Sequence, residues 1–444
     1  MAKKNLIEGP IYDARALGTP RMMVLGFQHM FAMFGATVLV PTLTGLSVSA
    51  TLLFAGLGTL LFHLLSKGKV PAFLGSSFAF LAGYFAIAPN GERELLPYAC
   101  FGVMVAGLLY FVLAALFKAF GMKRVMRFFP PIVTGPIIIA IGLSLSGSAI
   151  TNCSANWGIA LVAIAIVIGF NMWGKGMLKI VPILLGVVGS YLVAALTGNV
   201  DFTAVKEAAW FGIPFQMQDT LFGLFSSDFD SGLLITAVIT IAPLAIATMT
   251  EHIGDMCAIS STCQRNYIED PCFHRTLMGD GVATALASIF GAPANTTYGE
   301  NTGVLALSKV YDPRVIRIAA VLAIIFSFCP KFSALISSMP TATIGGVSLI
   351  LYGMISAVGV RNVVENKVDF TNTRNVIIAA LILVLAIGIT YTGNIVIPLG
   401  GVSITFTGLA TAAIVGIVLN AVLPNKDYEF VQGDEGSTSV NFQV

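Results

Sequence analysis

Three carboxylates stand where carboxylates are least expected. Glu251 and Asp255 lie in the mostly apolar stretch Thr248-Met249-Thr250-Glu251-His252-Ile253-Gly254-Asp255, and Glu300 follows Tyr298-Gly299 in another. A spacing of four places Glu251 and Asp255 on one face of a helix. Two carboxylates that close repel when both are ionised, which favours holding one proton between them. That is the property a proton carrier needs. Glycine at 299 lets backbone approach a ligand closely, and a broken helix leaves N–H groups free to bind it. The plainer readings are a solvated surface acid at Asp255 and a backbone-capping acid at Glu300.

The elements that position these groups are themselves unusual. Gly75-Ser76-Ser77-Phe78-Ala79-Phe80 and Asn295-Thr296-Thr297-Tyr298-Gly299-Glu300-Asn301 are short, polar, glycine-bearing interruptions of hydrophobic stretches, in corresponding places of the two halves of the chain. The chain has 444 residues, 56% hydrophobic and 10% charged. Soluble domains carry about 25% charge, so this composition describes an integral membrane protein. Irregular backbone survives in lipid only where protein buries it or it lines a cavity, and an ionisable group at that depth marks a functional site. A matched pair of interrupted spans points to a transporter's substrate site. Phe78, in the first interruption, is placed to stack on a flat ligand while its backbone N–H bonds it.

Fourteen apolar segments are expected, at 22–42, 48–65, 70–88, 97–117, 129–147, 156–172, 178–197, 232–258, 275–290, 292–308, 315–329, 333–356, 375–391 and 396–423. Alternating their loops puts all but Arg93, Lys206 and Lys331 of the 24 Lys and Arg residues on one side. The positive-inside rule then places both termini in the cytoplasm. The polar N-terminus and span-length first apolar run show no cleavable signal pattern. Phe129-Pro130-Pro131-Ile132-Val133-Thr134-Gly135-Pro136 is similar to Met339-Pro340-Thr341-Ala342-Thr343-Ile344-Gly345-Gly346. With the two polar tracts, this suggests two repeats of seven spans. Seven is odd, so the repeats are inverted, as in alternating-access transporters. The fold class expected is therefore an all-α polytopic membrane protein of 7+7 inverted segments, with spans three and ten discontinuous.

Other residues carry weaker signals. His29, in the first span, is a packing histidine or a group supporting the site. Cys257, Cys263, Cys272 and His274 gather near one loop, but their spacing fits no common zinc pattern. No metal or other cofactor is expected. No Walker A motif occurs, so ATP does not drive the chain directly. The net charge of +2 argues against nucleic acid. An intramembrane enzyme would need a nucleophile–base pair or metal ligands at depth, and none has the required spacing. Of the acidic residues, only Glu251, Asp255 and Glu300 are read as lying outside loops and tails; the segment after Pro424 is read as a disordered tail.

Four long motifs, in order, resemble the nucleobase–cation symporters, or nucleobase–ascorbate transporters. They are Gln28-His29-Met30-Phe31-Ala32-Met33-Phe34-Gly35-Ala36-Thr37-Val38-Leu39-Val40-Pro41, Pro71-Ala72-Phe73-Leu74-Gly75-Ser76-Ser77-Phe78-Ala79-Phe80, Glu251-His252-Ile253-Gly254, and Asn295-Thr296-Thr297-Tyr298-Gly299-Glu300-Asn301-Thr302-Gly303-Val304. The resemblance spans nearly the whole chain, and the Tyr298-Gly299-Glu300-Asn301 form looks like the uracil branch. It implies short β-strands in spans three and ten. It also implies a core domain (21–127 and 232–330), a gate domain (128–231, with its acidic outer loop, and 331–424), and cytoplasmic ends at 1–20 and 425–444. It further implies that Glu251 and Glu300 bind a uracil ring, that the backbone N–H groups of Phe78 and Gly299 bond its carbonyls, and that Ala36, Tyr298 and Tyr352 are neighbours. A homodimer through the gate domain is in keeping with it.

The resulting expectation is a secondary active importer of uracil by proton symport in the cytoplasmic membrane, with Glu251, Asp255 and His29 candidates for coupling. Proton-coupled relatives often have histidine where this chain has Asp255, so sodium coupling is an alternative. A purine or xanthine substrate is another. An anion exchanger of the same fold is more remote, because no Lys or Arg lies within spans three, eight or ten.

Overall fold

A computed structural model describes residues 9–426, except 176, 177, 179, 180, 225–228, 400 and 401, and the side chains of Glu300, Leu399, Val402, Ser403 and Ile404. The C-terminal segment expected to be disordered lies, from 427 on, outside the described residues. The chain is mostly helical. Its longer helices are α1 (Thr19–Thr44), α2 (Val48–Leu65), α3 (Leu81–Ile87), α4 (Leu96–Phe120), α5 (Pro131–Ser144), α6 (Ser146–Ser154), α7 (Trp157–Trp173), α8 (Pro182–Leu196), α9 (Ser231–Ile241), α10 (Leu244–Cys263) and α11 (Phe273–Ile289). They continue as α12 (Gly299–Ser308), α13 (Pro313–Ser327), α14 (Pro330–Ser337), α15 (Thr341–Glu365), α16 (Thr373–Thr392) and α17 (Gly408–Val422). Among the described residues, seven helical stretches are long and apolar enough to cross a membrane, or eight if the α13–α14 pair, bent by 88°, is one span.

The helices start where polar caps allow. Ser47 accepts from the Ala50 N–H at α2, Asp230 from Gly232 and Leu233 at α9, and Thr407 from Ala410 at α17. Such caps satisfy N–H groups that the first helical turn leaves unpaired. Between caps the sequences are apolar all round, which suits burial in protein on one side and lipid on the other. In one set of contacts, α11 packs on α2 and α4, α13 on α1 and α2, and α9 on α4. In another, α15 packs on α5, α6, α7 and α8, and α16 on α5 and α17. Beside the first set, helix α10 touches α5 and α17 of the second, and α1 touches α8.

Two short strands lie among these helices. β1 (Leu74–Ser76) pairs antiparallel with β2 (Asn295–Thr297), with Gly75 opposite Thr296. All six residues are buried. Extended backbone there must find its own partners, since an unsatisfied group costs several kcal/mol in lipid. Hydroxyls from neighbouring helices supply what two strands alone lack, and a strand amide reaches back to one of those helices. Thr59 Oγ1 accepts from the Leu74 N–H at 2.9 Å, Thr284 Oγ1 donates to the Asn295 carbonyl at 2.8 Å, and Asn295 Nδ2 donates to the Phe54 carbonyl at 3.0 Å.

The structure differs from the sequence expectation at several places. The segment expected at 333–356 is split at Ser338-Met339-Pro340 between α14 and α15, the latter running on to Glu365. The segment expected at 232–258 is broken into α9 and α10 at Ala242-Pro243. Proline lacks an N–H to continue a helix. The segment expected at 396–423 opens as a hairpin, β3 (Ile395–Leu399) with β4 (Val402–Phe406), and only Gly408–Val422 is helical. Its first half, Ile395-Val396-Ile397-Pro398-Leu399, combines β-branched residues with a proline, which periodicity cannot separate from a buried helix. Finally, Asp280 is a fourth acid outside loops and tails: it is fully buried in α11.

Candidate functional site

The two polar tracts meet. Ser77 N–H donates to the Ala294 carbonyl at 2.8 Å and Tyr298 N–H to the Phe73 carbonyl at 3.1 Å, extending the β1–β2 pairing at both ends. Tyr298 Oη donates to the Ser76 carbonyl at 2.9 Å. The chain then turns into a helix on each side: α3 after Phe80, α12 after Tyr298. No acceptor among the described residues takes the backbone N–H of Phe78 or Gly299. Two such donors beside two helix starts form a place where a ligand's acceptor atoms are bound without side chains.

A cavity of about 310 Å³ opens beside this junction. Phe78, Glu251, Asp255, Tyr298 and Gly299 are all on its wall, together with Thr296 and Thr297. Its facing wall is apolar: Ile138 from α5 and Met354, Ile355 and Val358 from α15. The volume falls within the ordinary range for small-molecule pockets, about 300–1,000 Å³.

Glu251 is half-buried and Asp255 buried, one helical turn apart on α10. Thr297 Oγ1 donates to Asp255 Oδ2 at 2.8 Å, so β2 and α10 are joined by a buried hydroxyl–carboxylate bond. Asp255 is thus held inside the protein, not spread into solvent. Glu300 is the second residue of α12, and its side chain lies outside the described residues.

The remaining candidates support the cavity from behind its wall. The Tyr352 ring meets Phe78 edge-on at 5.7 Å. Ala36 is buried, and its carbonyl lies 3.4 Å from Ser76 Oγ. His29 is fully buried and faces Asn301, whose Nδ2 is 3.2 Å from His29 Nδ1 and donates to the His29 carbonyl. None of these three is on the cavity wall.

Several residues on the site escaped the sequence reading. Thr297 was inside a quoted tract, but nothing local marks it as the partner of Asp255, 42 positions away. His252 Nδ1 and Asp280 Oδ2 are 3.0 Å apart with neither side chain exposed, and His252 Nε2 is 3.1 Å from Thr276 Oγ1. This pair ties α10 to α11 directly behind Glu251. An aspartate within an apolar segment was the available signal. The wall residues of α5 and α15 carry no signal, because they are ordinary aliphatic side chains. Among the described residues, no group of three or more His, Cys, Asp or Glu side chains is arranged to hold a metal ion.

Residues 20–395 match the family profile Xan_ur_permease, described as Permease family. The chain is 42% identical over 425 residues to a uracil permease of Bacillus caldolyticus, covering 94% of each. It is 40% identical over 443 residues to a uracil permease of Bacillus subtilis, covering 97% of this chain and 98% of that one. A putative pyrimidine permease of Escherichia coli, RutG, is 37% identical over 416 residues, or 91% of this chain and 89% of the relative. Among solved structures, the transmembrane domain of the cyanobacterial bicarbonate transporter BicA superposes with a TM-score of 0.54 at 15% identity, covering 93% and 99%. A murine anion transporter, Solute Carrier 26 family member A9, gives 0.61 at 11% identity, covering 95% and 72%. At such identities the likeness concerns the fold alone, that of a multi-pass membrane domain.

Proposed function

The chain belongs to the permease family, and from that premise we propose that it imports uracil by proton symport. It is a transporter, not an enzyme. The observation that carries the substrate is the cavity wall, where carboxylates stand beside free backbone N–H groups. Uracil presents ring N–H donors and two carbonyl acceptors in one plane. Glu251 and Glu300 would accept from the ring N–H groups, and the N–H groups of Phe78 and Gly299 would donate to the carbonyls. The Phe78 ring, backed by Tyr352, would stack on the flat face. A ligand that leaves such buried groups unpaired forfeits about 1–3 kcal/mol for each, which discriminates by hydrogen-bonding pattern.

Coupling is assigned to Glu251 and Asp255. A proton held between them lowers the charge the cavity must carry when it closes on substrate. By linkage, proton and uracil each tighten the other's binding by the same factor. His29, bonded through Asn301 to the start of α12, would set that helix rather than carry the proton.

Transport is read as alternating access in a 7+7 inverted repeat of fourteen segments, the third and tenth discontinuous at β1 and β2. Residues 21–127 and 232–330 would form the core and 128–231 and 331–424 the gate. The two walls of the cavity support this, being polar where α10 and β2 line it and apolar where α5 and α15 do. An aliphatic wall slides past a bound ligand without breaking hydrogen bonds. The protein would sit in the cytoplasmic membrane with both termini inside, and a homodimer through the gate domain is part of the same reading.

The folds of the anion transporters raise anion exchange as the second reading. Among the described residues the cavity wall bears two carboxylates and no Lys or Arg, which disfavours an anion.

Uptake of labelled uracil into proteoliposomes, with and without an imposed inward proton gradient, tests the proposal. Proton-stimulated uptake that excess xanthine does not inhibit is expected. Uptake that ignores protons and follows a sodium gradient would overturn the coupling ion. Uptake of xanthine or an inorganic anion in place of uracil would overturn the substrate.

A further inference from the structure

Before α1, residues 11–14 run across the ends of both helices that carry the site. Ile11 N–H donates to the Lys309 carbonyl at 2.8 Å, and Tyr311 N–H donates back to the Ile11 carbonyl at 2.7 Å, a parallel bridge just beyond α12. Ala14 N–H donates to Asp312 Oδ2 at 2.7 Å. Asp13 pairs with Arg314 at 2.9 Å. Between these, Tyr12 turns the other way. Its hydroxyl donates to the Cys263 carbonyl, the last residue of α10, at 2.8 Å. The Arg265 guanidinium lies over its ring at 3.8 Å, and the Tyr311 ring packs on it at 5.6 Å.

The strap is therefore fixed to the exit of α12 by backbone and to the exit of α10 by one side chain. We propose that Tyr12 is a positioning residue for substrate binding: it staples the cytoplasmic ends of α10 and α12 and thereby sets the separation of Glu251 from Gly299.

The reasoning is that of a lever. Helix α10 is attached to the β2–α12 arm at two places, at depth through Thr297–Asp255 and at its end through Tyr12. At about 1.5 Å per residue, Cys263 lies about 12 Å from Asp255 along the axis, and Glu251 about 6 Å on the opposite side. With the Thr297–Asp255 bond as pivot, releasing the Tyr12 tie lets the far end swing. A swing of about 2 Å at Cys263 moves Glu251 by about 1 Å. A misplacement of about 1 Å at a reacting or binding group costs up to about 100-fold. Tyr12 itself is not on the cavity wall, and what it moves is a binding group, so the effect falls on affinity.

The inference rests on the uracil reading above, so its test carries a second measurement that needs no substrate. Full-length Tyr12→Ala, Tyr12→Leu and Tyr12→Phe are compared with the unmodified chain for uracil KM and Vmax in proteoliposomes. Melting temperature and amide hydrogen exchange of residues 257–263 are measured alongside. The expected result for Tyr12→Ala is a KM raised about tenfold, Vmax within twofold, and exchange of 257–263 accelerated at least tenfold. Tyr12→Phe keeps the ring under Arg265 but loses the hydroxyl bond to the Cys263 carbonyl, and is expected to raise KM by an intermediate amount, about threefold. If Tyr12→Ala does not accumulate, Tyr12→Leu, which keeps most of the buried volume, is held to the same result. KM within twofold of the unmodified chain overturns the proposal. So does a fall in Vmax and melting temperature with KM unmoved, which is what a merely structural residue gives. Should the unmodified chain take up no uracil, the uracil reading fails on its own. The staple is then judged by exchange at 257–263, and unchanged exchange in Tyr12→Ala overturns it.

Discussion

The two short arms that meet at the site are built alike and loaded differently. In the first, β1 leads through Phe78 into α3, and its neighbours are largely spoken for: Ser76 Oγ donates to the Thr37 carbonyl at 3.0 Å, and Gly75 has the Tyr298 ring against it. A Cβ added at Gly75 would come within 2.4 Å of that ring and 2.8 Å of Thr37 Oγ1. In the second, β2 leads into α12, and Thr296, Thr297, Tyr298, Gly299 and Gly303 all face the cavity. A Cβ added at Gly299 would meet no heavy atom within 4 Å. One arm is packed against protein and the other faces open space. On the proposed reading, two arms of similar sequence divide most of the anchoring from most of the recognition, Phe78 on the first arm excepted. The division comes from what each packs against.

The largest effect tests the recognition side. Glu251→Gln keeps the shape of the side chain but removes its charge, and is expected to cut uracil uptake at least 100-fold with the fold intact. Uptake and size-exclusion profiles measured together decide this. The glycines test the division itself. Gly75→Ala overpacks the junction, a change that costs about 1–3 kcal/mol or more, and should lower the melting temperature by several degrees. Gly299→Ala should leave the melting temperature unmoved and weaken uracil binding at least tenfold, because its methyl group projects where the ligand would lie. If both alanines melt early, the second arm is packed as tightly as the first, and the comparison fails.

A smaller effect separates the two arms' threonine ties. Thr297→Val removes the donor to Asp255, and a lost bond to a buried charged group is worth about 1–3 kcal/mol. The expectation is roughly tenfold weaker uptake and a displaced pH profile. Thr59→Val removes a hydroxyl serving only backbone and should alter stability but not the pH profile. Equal pH profiles for the two variants would argue against coupling through Asp255.

The smallest effect concerns the strap. Hydrogen bonds from the Arg15 side chain and backbone, with its charge and that of Arg314, hold Asp13 at a pKa of about 2, below its ordinary 3.8. A depressed carboxylate contributes stability above its unfolded pKa and loses it as pH falls through the folded value. The Asp13 contacts should therefore be constant from pH 5 to 8 and weaken only between about pH 4 and 2. Because Asp13 is exposed and its pairs are screened, Asp13→Asn should change uracil KM less than twofold at pH 7. A larger change would mean that the strap depends on its surface ion pairs and not on Tyr12.

Much of this was legible in the chain itself. Composition alone required a membrane protein, and most apolar runs became helices within a few residues of their expected limits. The polar tracts around Phe78 and Gly299 stood out in the sequence, and the structure brings them together at the β1–β2 pair. What periodicity could not separate was a β-hairpin from a helix at 395–406, since a short aliphatic run satisfies either. Nor could it show that Pro243 divides one apolar run into two helices. The acid in α11 was visible as a letter, but its partner His252 was not, because a pairing across 28 positions depends on how two helices cross.

The sequence by itself determined which groups need protection from lipid: carboxylates, glycines and hydroxyls whose types do not depend on their neighbours. Only the tertiary structure decided which of them share a wall. Glu251, Asp255, Phe78 and Gly299 come from three separate elements, and the bonds that register those elements, Thr297 to Asp255 and Tyr12 to Cys263, join residues far apart along the chain. Hydrogen bonds act over about 3 Å, so their consequences appear only once the helices have packed.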